Sequence, residues 1–120
     1  MSIRVELDEL RAVAALHTPF AYLLTVSDDG RAHAVAITPR IDDGSVSCDA
    51  GKRSCANARS RPNVSLLWPP GRPGDYSLIV DGTAAVDGST VRIAPESAVR
   101  HRPAPDGGSD CAPVVVKFEE

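Results

Sequence analysis

The chain has 120 residues, of which 42% are apolar and 24% charged, and its net charge is -3. This length suits one domain over residues 1–120, and the apolar fraction excludes a disordered chain. The mild acidity argues against general nucleic-acid binding, which requires a basic surface. No apolar run approaches the roughly eighteen residues of a membrane span, and the first residues lack a signal-peptide pattern. We therefore expect a cytoplasmic protein.

The cysteines and histidines offer no metal site. Cys48, Cys55 and Cys111 form an odd, sparse set without a C-x-x-C pair, so we expect reduced thiols and no bound metal. The three histidines are isolated from one another. Cationic neighbours could lower the pKa of the Cys48 thiol, but a thiol in the core is the favoured interpretation.

The first half of the chain predicts a helix followed by hairpins. Apolar residues at helical spacing predict an amphipathic helix over 2–17, ended by Thr18-Pro19. Strands follow at 20–26, 31–38 and 44–49. Asp-Gly pairs in the two connections predict tight turns, and hence an antiparallel meander. Small residues alternate along the second strand, which would let a flat group approach.

The second half predicts a short helix among further strands. The helix is expected at 52–60, with Asp49 as its cap. A strand that is apolar on both faces, and hence central, is expected at 64–68, followed by strands at 76–86 and 89–94. A polar connection with one helical turn at 96–100 then leads to a last strand at 114–120. This order predicts a mainly β fold, an antiparallel barrel of six to seven strands, closed or partly closed, with short flanking helices.

Positive charge gathers in one segment. Between Asp49 and Asp75 there is no acidic residue, whereas five basic residues occur there: Lys52, Arg53, Arg59, Arg61 and Arg72. Lys52 and Arg53 stand where the predicted helix begins, and the N–H groups of a helix start favour an anion such as phosphate. A solvated basic helix face is the alternative.

No self-sufficient catalytic set is visible. The sequence has neither a nucleophile elbow nor a glycine-rich phosphate loop. Turn chemistry explains the paired aspartates. These absences are typical of a protein whose chemistry is supplied by a cofactor.

The order of these segments resembles the pyridoxamine 5′-phosphate oxidase-like family of flavin-binding split β-barrels, which is related to the flavin and deazaflavin reductases of actinobacteria. The resemblance covers roughly residues 10–94. It rests on the D-G-R hairpin, the basic helix start, the R-P-N-V-S-L strand entry and the V-D-G-T-A-x-V strand.

The resemblance implies a homodimer with FMN, or alternatively a deazaflavin, in a groove between the subunits. The phosphate would be held by Lys52, Arg53 and Ser54, with Asn57 one turn further on. The ring would lie against the second strand, and the ribityl chain would approach the end of the third strand. The second subunit would add contacts near Trp68 and Ser77. The residues implied to contact the ring are His33, Ala34, Val35, Ala36, Ile37 and Thr38. Those implied to lie near the ribityl chain are Ser47, Cys48, Asp49 and Ala50.

The chain departs from that family pattern in three places. The C-terminal substrate-binding segment of true pyridoxamine phosphate oxidases is missing, a frequent lysine is replaced by Ser54, and a basic residue of the fifth strand falls at Ile79. Pyridoxamine phosphate oxidation itself is therefore not expected. Arg40, Arg59 and Arg72 are candidates for binding an acidic deazaflavin tail, although Arg59 and Arg61 are also expected to be solvated surface.

Three functions follow from these features. The leading one is an FMN- or deazaflavin-dependent oxidoreductase acting on a small molecule, without an obligatory catalytic side chain. The second is a non-catalytic dimer that binds a flavin, haem or other ligand, or has lost its ligand. The third is a structural barrel with an incidental basic helix.

Overall fold

The computed structural model describes residues 1–104, which form eight strands, two α-helices and one 3-10 turn. The first segment contains β1 Ser2–Val5, the 3-10 turn Leu7–Glu9 and α1 Leu10–Ala14. The remaining elements are β2 Ala21–Val26, β3 Ala32–Ile37, β4 Arg40–Asp42, β5 Ser45–Asp49, α2 Lys52–Ser60, β6 Asn63–Trp68, β7 Ser77–Asp87 and β8 Thr90–His101. No helix among these residues is long and apolar enough to cross a membrane.

The strands form one curled antiparallel sheet, in the order β3-β2-β6-β7-β8-β5-β4, with β1 paired to β8. The sheet is split between its two edge strands, β3 and β4, which follow each other in the chain. The fold is thus the expected mainly β split barrel with short flanking helices. The count of strands rises above the expected range because β1 and the three-residue β4 were not predicted.

The core lies on the concave face and is aliphatic apart from one aromatic ring. Alternate residues of each strand point into it, as period-two burial requires. The largest side chains in it that are almost fully buried are Trp68, Leu23, Leu66, Leu78, Ile93, Val46, Val80 and Val91. Both α2 and the N-terminal segment pack against this core, through Cys55 and Ala58 and through Leu10 and Ala14 respectively.

Local patterns predicted several elements correctly. The helix at 52–60 is confirmed, the strand at 63–68 is central between β2 and β7, and the β2–β3 hairpin turns at Gly30, whose φ of 83° is left-handed. The predicted antiparallel meander of three strands is wrong for its third strand. β5 pairs with β4 and β8, and not with β3.

The N-terminal helix prediction was also wrong over half of its length. The chain is extended over Ser2–Val5 because these residues pair with Ala98–His101 of β8. Helical structure begins only at Leu7, and the α-helix ends at Ala14. The apolar spacing suited a helix, but a partner strand about a hundred positions away imposed the other conformation.

Strand β8 continues through the segment that was expected to be a polar connection with a helical turn. It pairs with β7 along its whole length, and the register shifts between Asp81 and Gly82, opposite Pro95. Pro95 is tolerated at this irregularity. The last predicted strand, 114–120, and Cys111 lie outside the described residues.

The register shift depends on a glycine. A Cβ added to Gly82 would collide with the carbonyl oxygen of Ala94 and lie 2.8 Å from Cγ2 of Ile93. Neither atom can move freely, since one is backbone and the other is in the core.

We expect Gly82→Ala to lower the free energy of unfolding by about 3 kcal/mol, the upper range for overpacking a core. Urea unfolding followed by circular dichroism measures this change. Ala85→Ser, at an exposed position on the same strand, is the control and should change stability by less than about 0.5 kcal/mol. Equal stabilities of the two variants would contradict the close packing at Gly82.

Candidate functional site

The N-terminus of α2 has no side-chain cap. Gly51 is the N-cap residue, with φ -77° and ψ 176°, and the first turn contains no acidic residue. The first intrahelical bond runs from Cys55 N to Gly51 O, at 3.0 Å. The N–H groups that precede it therefore have no intrahelical acceptor. The exposed side chains of Lys52 and Arg53 add two positive charges at this end.

Asp49 was expected to cap this helix, and that expectation was wrong. Its carboxylate lies 3.6 Å from Nη2 of Arg40 and accepts a hydrogen bond from the hydroxyl of Thr90 at 3.3 Å. The extended backbone at Gly51 separates Asp49 from the first turn. The helix start is thus left open to an external anion.

Lys52 borders a depression of about 350 Å³ between α2 and the β7–β8 turn. Arg59 lines the same depression, and its Nη2 donates to the carbonyl oxygen of Gly88 at 3.2 Å. Within residues 1–104 neither Lys52 nor Arg59 forms an ion pair. Arg59 is exposed, as expected for solvated surface, and it lines the same depression as Lys52. The signal was its position seven residues, or two helical turns, beyond Lys52.

The charge of Arg53 also acts, as a minor influence, on the β2–β3 turn. The pKa of the Asp29 carboxyl lies below its ordinary value, first because the Ser27 hydroxyl and the Arg31 backbone N–H donate to it and in smaller part because of the charge of Arg53. Nη1 of Arg61 binds Asp28 Oδ1 in the same turn, at 2.8 Å. The basic residues of α2 therefore do not form one clamp.

Ser54 and Asn57 are buried, with 2% and 6% of their surface exposed. The side-chain amide of Asn57 donates to the hydroxyl of Thr25 at 3.1 Å, which fastens α2 to β2. His33 is the cross-strand neighbour of Thr25, and its Nδ1 is buried with no partner among the described residues. The predicted residues His33 and Asn57 are thus brought together through Thr25, on the core side of the sheet.

The residues expected to contact the ring divide between two faces of β3. Ala34 and Ala36 are exposed on the outer face, whereas His33, Val35 and Ile37 point inwards. Beside Ala36 a depression of about 490 Å³ opens at the split of the barrel, and it is lined by Phe20, Ala36, Ile37, Thr38, Arg40 and Asp49. Arg40 was a candidate for binding an acidic group at the mouth of the groove, and here it borders this depression.

The end of β5 connects the two depressions. Asp49 lines the depression at the split, and Ala50 and Gly51 line the one beside α2. Ser47 is buried although it faces away from the core, between Arg40 and Arg92 of the neighbouring strands. A ligand with a flat group at one end and an anionic group at the other could follow this path.

Cys48 faces the core and is fully buried. Burial raises the pKa of its thiol from 9.0 to about 11, and the charge of Arg40 opposes this shift only in part. Cys48 is therefore a packing residue and has no thiolate character at neutral pH, which agrees with the favoured interpretation from sequence.

The two residues expected to serve a second subunit are placed differently. Trp68 is 2% exposed and packs in the core, so its side chain does not face outwards. Ser77 is half-buried at the start of β7, on the opposite face from Leu78. Of these two residues, only Ser77 is accessible to a partner subunit.

The described residues provide no metal site and no nucleophile paired with a base. What they provide is an open helix N-terminus, two unpaired cations beside it, and a depression at the split whose lining combines apolar residues with Arg40 and Asp49. This arrangement is suited to binding and orienting a ligand.

Two mycobacterial proteins are similar to this chain over most of its length. The chain is 42% identical over 117 aligned positions to an uncharacterised protein of Mycobacterium bovis and to one of Mycobacterium tuberculosis. Each alignment covers 82% of this chain and 82% of the relative. The chain matches no family model.

Solved structures share the fold at low sequence identity. A candidate pyridoxamine 5′-phosphate oxidase of Listeria innocua has a TM-score of 0.62 at 22% identity, covering 76% of this chain and 94% of its own. The FAD binding protein of Mycobacterium smegmatis has a TM-score of 0.57 at 18% identity, with 85% and 100% covered. An F420 reductase has a TM-score of 0.56 at 17% identity, with 69% and 91% covered.

We expect Cys48 to resist thiol reagents in the folded protein. In a Cys111→Ser background at pH 8, modification of Cys48 and Cys55 by a disulfide reagent should be at least about 100-fold slower than in 8 M urea. The reason is that both side chains are buried and the Cys48 pKa is raised. Because the folded pKa is raised, the stability due to the neutral Cys48 thiol is complete below pH 9 and is lost as the pH rises towards 11. Fast labelling of the folded protein at pH 8 would contradict this placement.

Asn57→Ala should lower the free energy of unfolding by about 2 kcal/mol, because it leaves the buried Thr25 hydroxyl without its partner. Chemical denaturation measures the loss. Pairing this change with Thr25→Val in a double-mutant cycle isolates the hydrogen bond. A coupling energy near zero would mean that the two side chains do not interact.

Proposed function

We propose that this chain, which belongs to one family with the two mycobacterial proteins and has the fold of pyridoxamine 5′-phosphate oxidase-like split barrels, binds a flavin-type cofactor and transfers a hydride between it and a small organic substrate. The observation that carries the proposal is the open N-terminus of α2, which has two exposed cations and no acidic residue in its first turn. FMN is the cofactor proposed first. A deazaflavin is the alternative, supported by the structural likeness to an F420 reductase.

In this proposal the cofactor's phosphate occupies the start of α2. The free backbone N–H groups donate to it, and the ammonium of Lys52 and the guanidinium of Arg53 supply the charge. Arg59 adds a third cation from the depression beside Lys52. Ser54 and Asn57 support the helix from below, because both are buried.

The ring would lie at the split of the barrel. Ala34 and Ala36 are exposed on β3 and present no bulk to a planar group, and the Phe20 side chain borders the same depression. The chain between them and α2, from Ser47 to Ala50, would run beside the ribityl group. Arg40 is partly neutralised by Asp49 and can still donate hydrogen bonds to a ring or substrate oxygen.

The hydride chemistry is supplied by the cofactor when it is bound. The chain's own residues would bind the phosphate, orient the ring and keep water from its covered face. In this proposal no side chain of the described site acts as an obligatory acid or base.

A homodimer is also proposed, through the outer face of the sheet. Apolar side chains continue across four paired strands on this face, which is solvated in the protomer: Tyr22, Leu24, Leu67, Ile79 and Val99. Tyr22 is 37% exposed and the others are half-buried. Contiguous exposed apolar surface of this kind marks an association site. Ala34, Ala36 and Ser77 border it, so a partner subunit would also cover the proposed ring site.

A second candidate function is a non-catalytic flavin- or haem-binding dimer. One feature favours it: Ile79 stands where the family's basic residue is expected. If the protein binds the reduced cofactor and no acceptor reoxidises it, the result supports the non-catalytic dimer. If a small acceptor oxidises the bound reduced cofactor in steady turnover, the result supports the oxidoreductase.

The phosphate site is tested by measuring the affinities of FMN and riboflavin for wild-type protein and variants by fluorescence titration. Lys52→Ala and Arg53→Ala should each weaken FMN by about tenfold or more, the effect of losing a charge-assisted hydrogen bond of about 1.5 kcal/mol. Riboflavin lacks the phosphate, so its affinity should not change.

Arg4→Ala is the control, because Arg4 is also exposed and lies on β1, which pairs with the end of β8 that is far from the β7–β8 turn. If the wild-type protein does not bind FMN, the proposal that FMN is the cofactor is wrong. FMN binding that neither substitution weakens would overturn the phosphate site alone.

The dimer is tested by light scattering after size exclusion. Wild-type protein at about 50 µM should have the mass of two chains, and Ile79→Lys should have the mass of one, because a buried unpaired charge opposes association. Ala85→Lys on the same strand should stay dimeric. A monomeric wild type, or a dimeric Ile79→Lys whose melting curve is unchanged, would contradict this interface.

A further inference from the structure

A groove of about 420 Å³ lies at the other end of β5 from α2. It separates the N-terminal segment from the hairpin that joins β4 to β5, and its size falls in the range of small-molecule sites. Since β5 runs from Ser45 at the groove to Asp49 at the proposed cofactor site, the two places are roughly 13 Å apart along the strand. The groove is lined by Leu7, Asp8, Leu10, Arg11, Ile41, Asp42, Asp43, Gly44, Ser45 and Pro95.

The floor of the groove is apolar. Leu10 is 4% exposed, and Ile41 and Pro95 are half-buried, so all three belong to the packed body of the domain. Leu7 stands beside them and is 42% exposed, although it is a large apolar residue. A ligand with an apolar body would cover Leu7 and contact the floor.

The rim of the groove is acidic. Asp8, Asp42 and Asp43 are exposed there, and Arg11 is the one cation among the lining residues, so the formal charge is three negative against one positive, or -2. None of these four side chains forms an ion pair within the part of the chain that the structure describes. No ion pair among the described residues therefore neutralises the negative charge of the rim.

Charge and shape together select the kind of ligand. An anion, including a flavin phosphate, is repelled by the rim. A bare metal ion is disfavoured, because no group of three or more acidic, His or Cys side chains in residues 1–104 can hold one. A ligand with an ammonium group on an apolar body suits both regions of the groove. The cation is attracted by the acidic rim, and the apolar body packs against the apolar floor.

We propose that this acidic groove is a second binding site, which accepts a small organic cation with an aromatic or branched aliphatic body. The Asp42 and Asp43 carboxylates bind the cationic group, and Leu7, Ile41 and Pro95 contact the body. The site does not depend on the proposed function, because it uses no residue of the α2 site and its ligand has the opposite charge.

The test is a titration of the full-length, ¹⁵N-labelled protein, followed by amide chemical shifts, with three probes of similar shape: phenethylammonium, 2-phenylethanol and 3-phenylpropionate. The ammonium probe should shift amides of residues 7–11 and 41–45 and bind about tenfold more tightly than the alcohol, with the carboxylate weakest. An Asp42→Asn/Asp43→Asn double variant should bind the ammonium about tenfold less tightly.

The double variant keeps the fold, because Asn-Gly suits the tight turn as well as Asp-Gly does. Asp87→Asn, in the Asp-Gly turn between β7 and β8, is the matched control and should bind like wild type. Equal affinities for the three probes, shifts confined to other residues, or no binding would each overturn the site. An equal affinity of the double variant and the control would also overturn it.

Discussion

The barrel depends on strand β8, because three other strands are hydrogen-bonded to it. One edge of β8 pairs with β7 over the whole strand, and the other edge pairs first with β5 and then with β1. Twelve residues therefore join the N-terminal segment, the middle of the chain and its later part into one sheet. The strand can do this only by bending where the register shifts at Gly82, since a straight strand cannot follow the curve of a half-barrel. The hairpins and α2 are arranged around this bent strand.

The site follows from that arrangement. β5 is held on β8, so its end delivers Ala50 and Gly51 next to the β7–β8 turn, and α2 starts there with its N–H groups uncovered. The helix is then anchored to β2 by Asn57 and Thr25, which fixes the distance between its first turn and the exposed alanines of β3. The two depressions are thus positioned by backbone pairing together with this buried side-chain hydrogen bond.

Sequence alone predicted the features that are set by neighbours in the chain. Asp29-Gly30 requires a tight turn, the segment after Gly51 favours a helix, and residues 64–68 are apolar enough for a central strand. The misassigned segments depend on distant partners. Residues 2–5 are extended only because β8 is available, and β8 passes Pro95 only because of the register shift opposite it. In the site, the cluster of charge was predictable. The hydrogen bond from Arg59 to the carbonyl of Gly88 was not, because it is decided by packing between elements.

The absence of a side-chain cap at the start of α2 links the stability of the protein to its affinity for an anion. A capping side chain is worth roughly a few tenths of a kcal/mol more than glycine at the N-cap position, and this helix, whose N-cap is Gly51, lacks that contribution. An anion bound there would supply the missing acceptor, so ligand affinity and helix stability would depend on the same N–H groups. A substitution such as Gly51→Asp would stabilise the empty protein and at the same time occupy the donors that an anion needs. Selection for thermal stability and selection for ligand affinity therefore oppose each other at this residue, as in other trade-offs between stability and function.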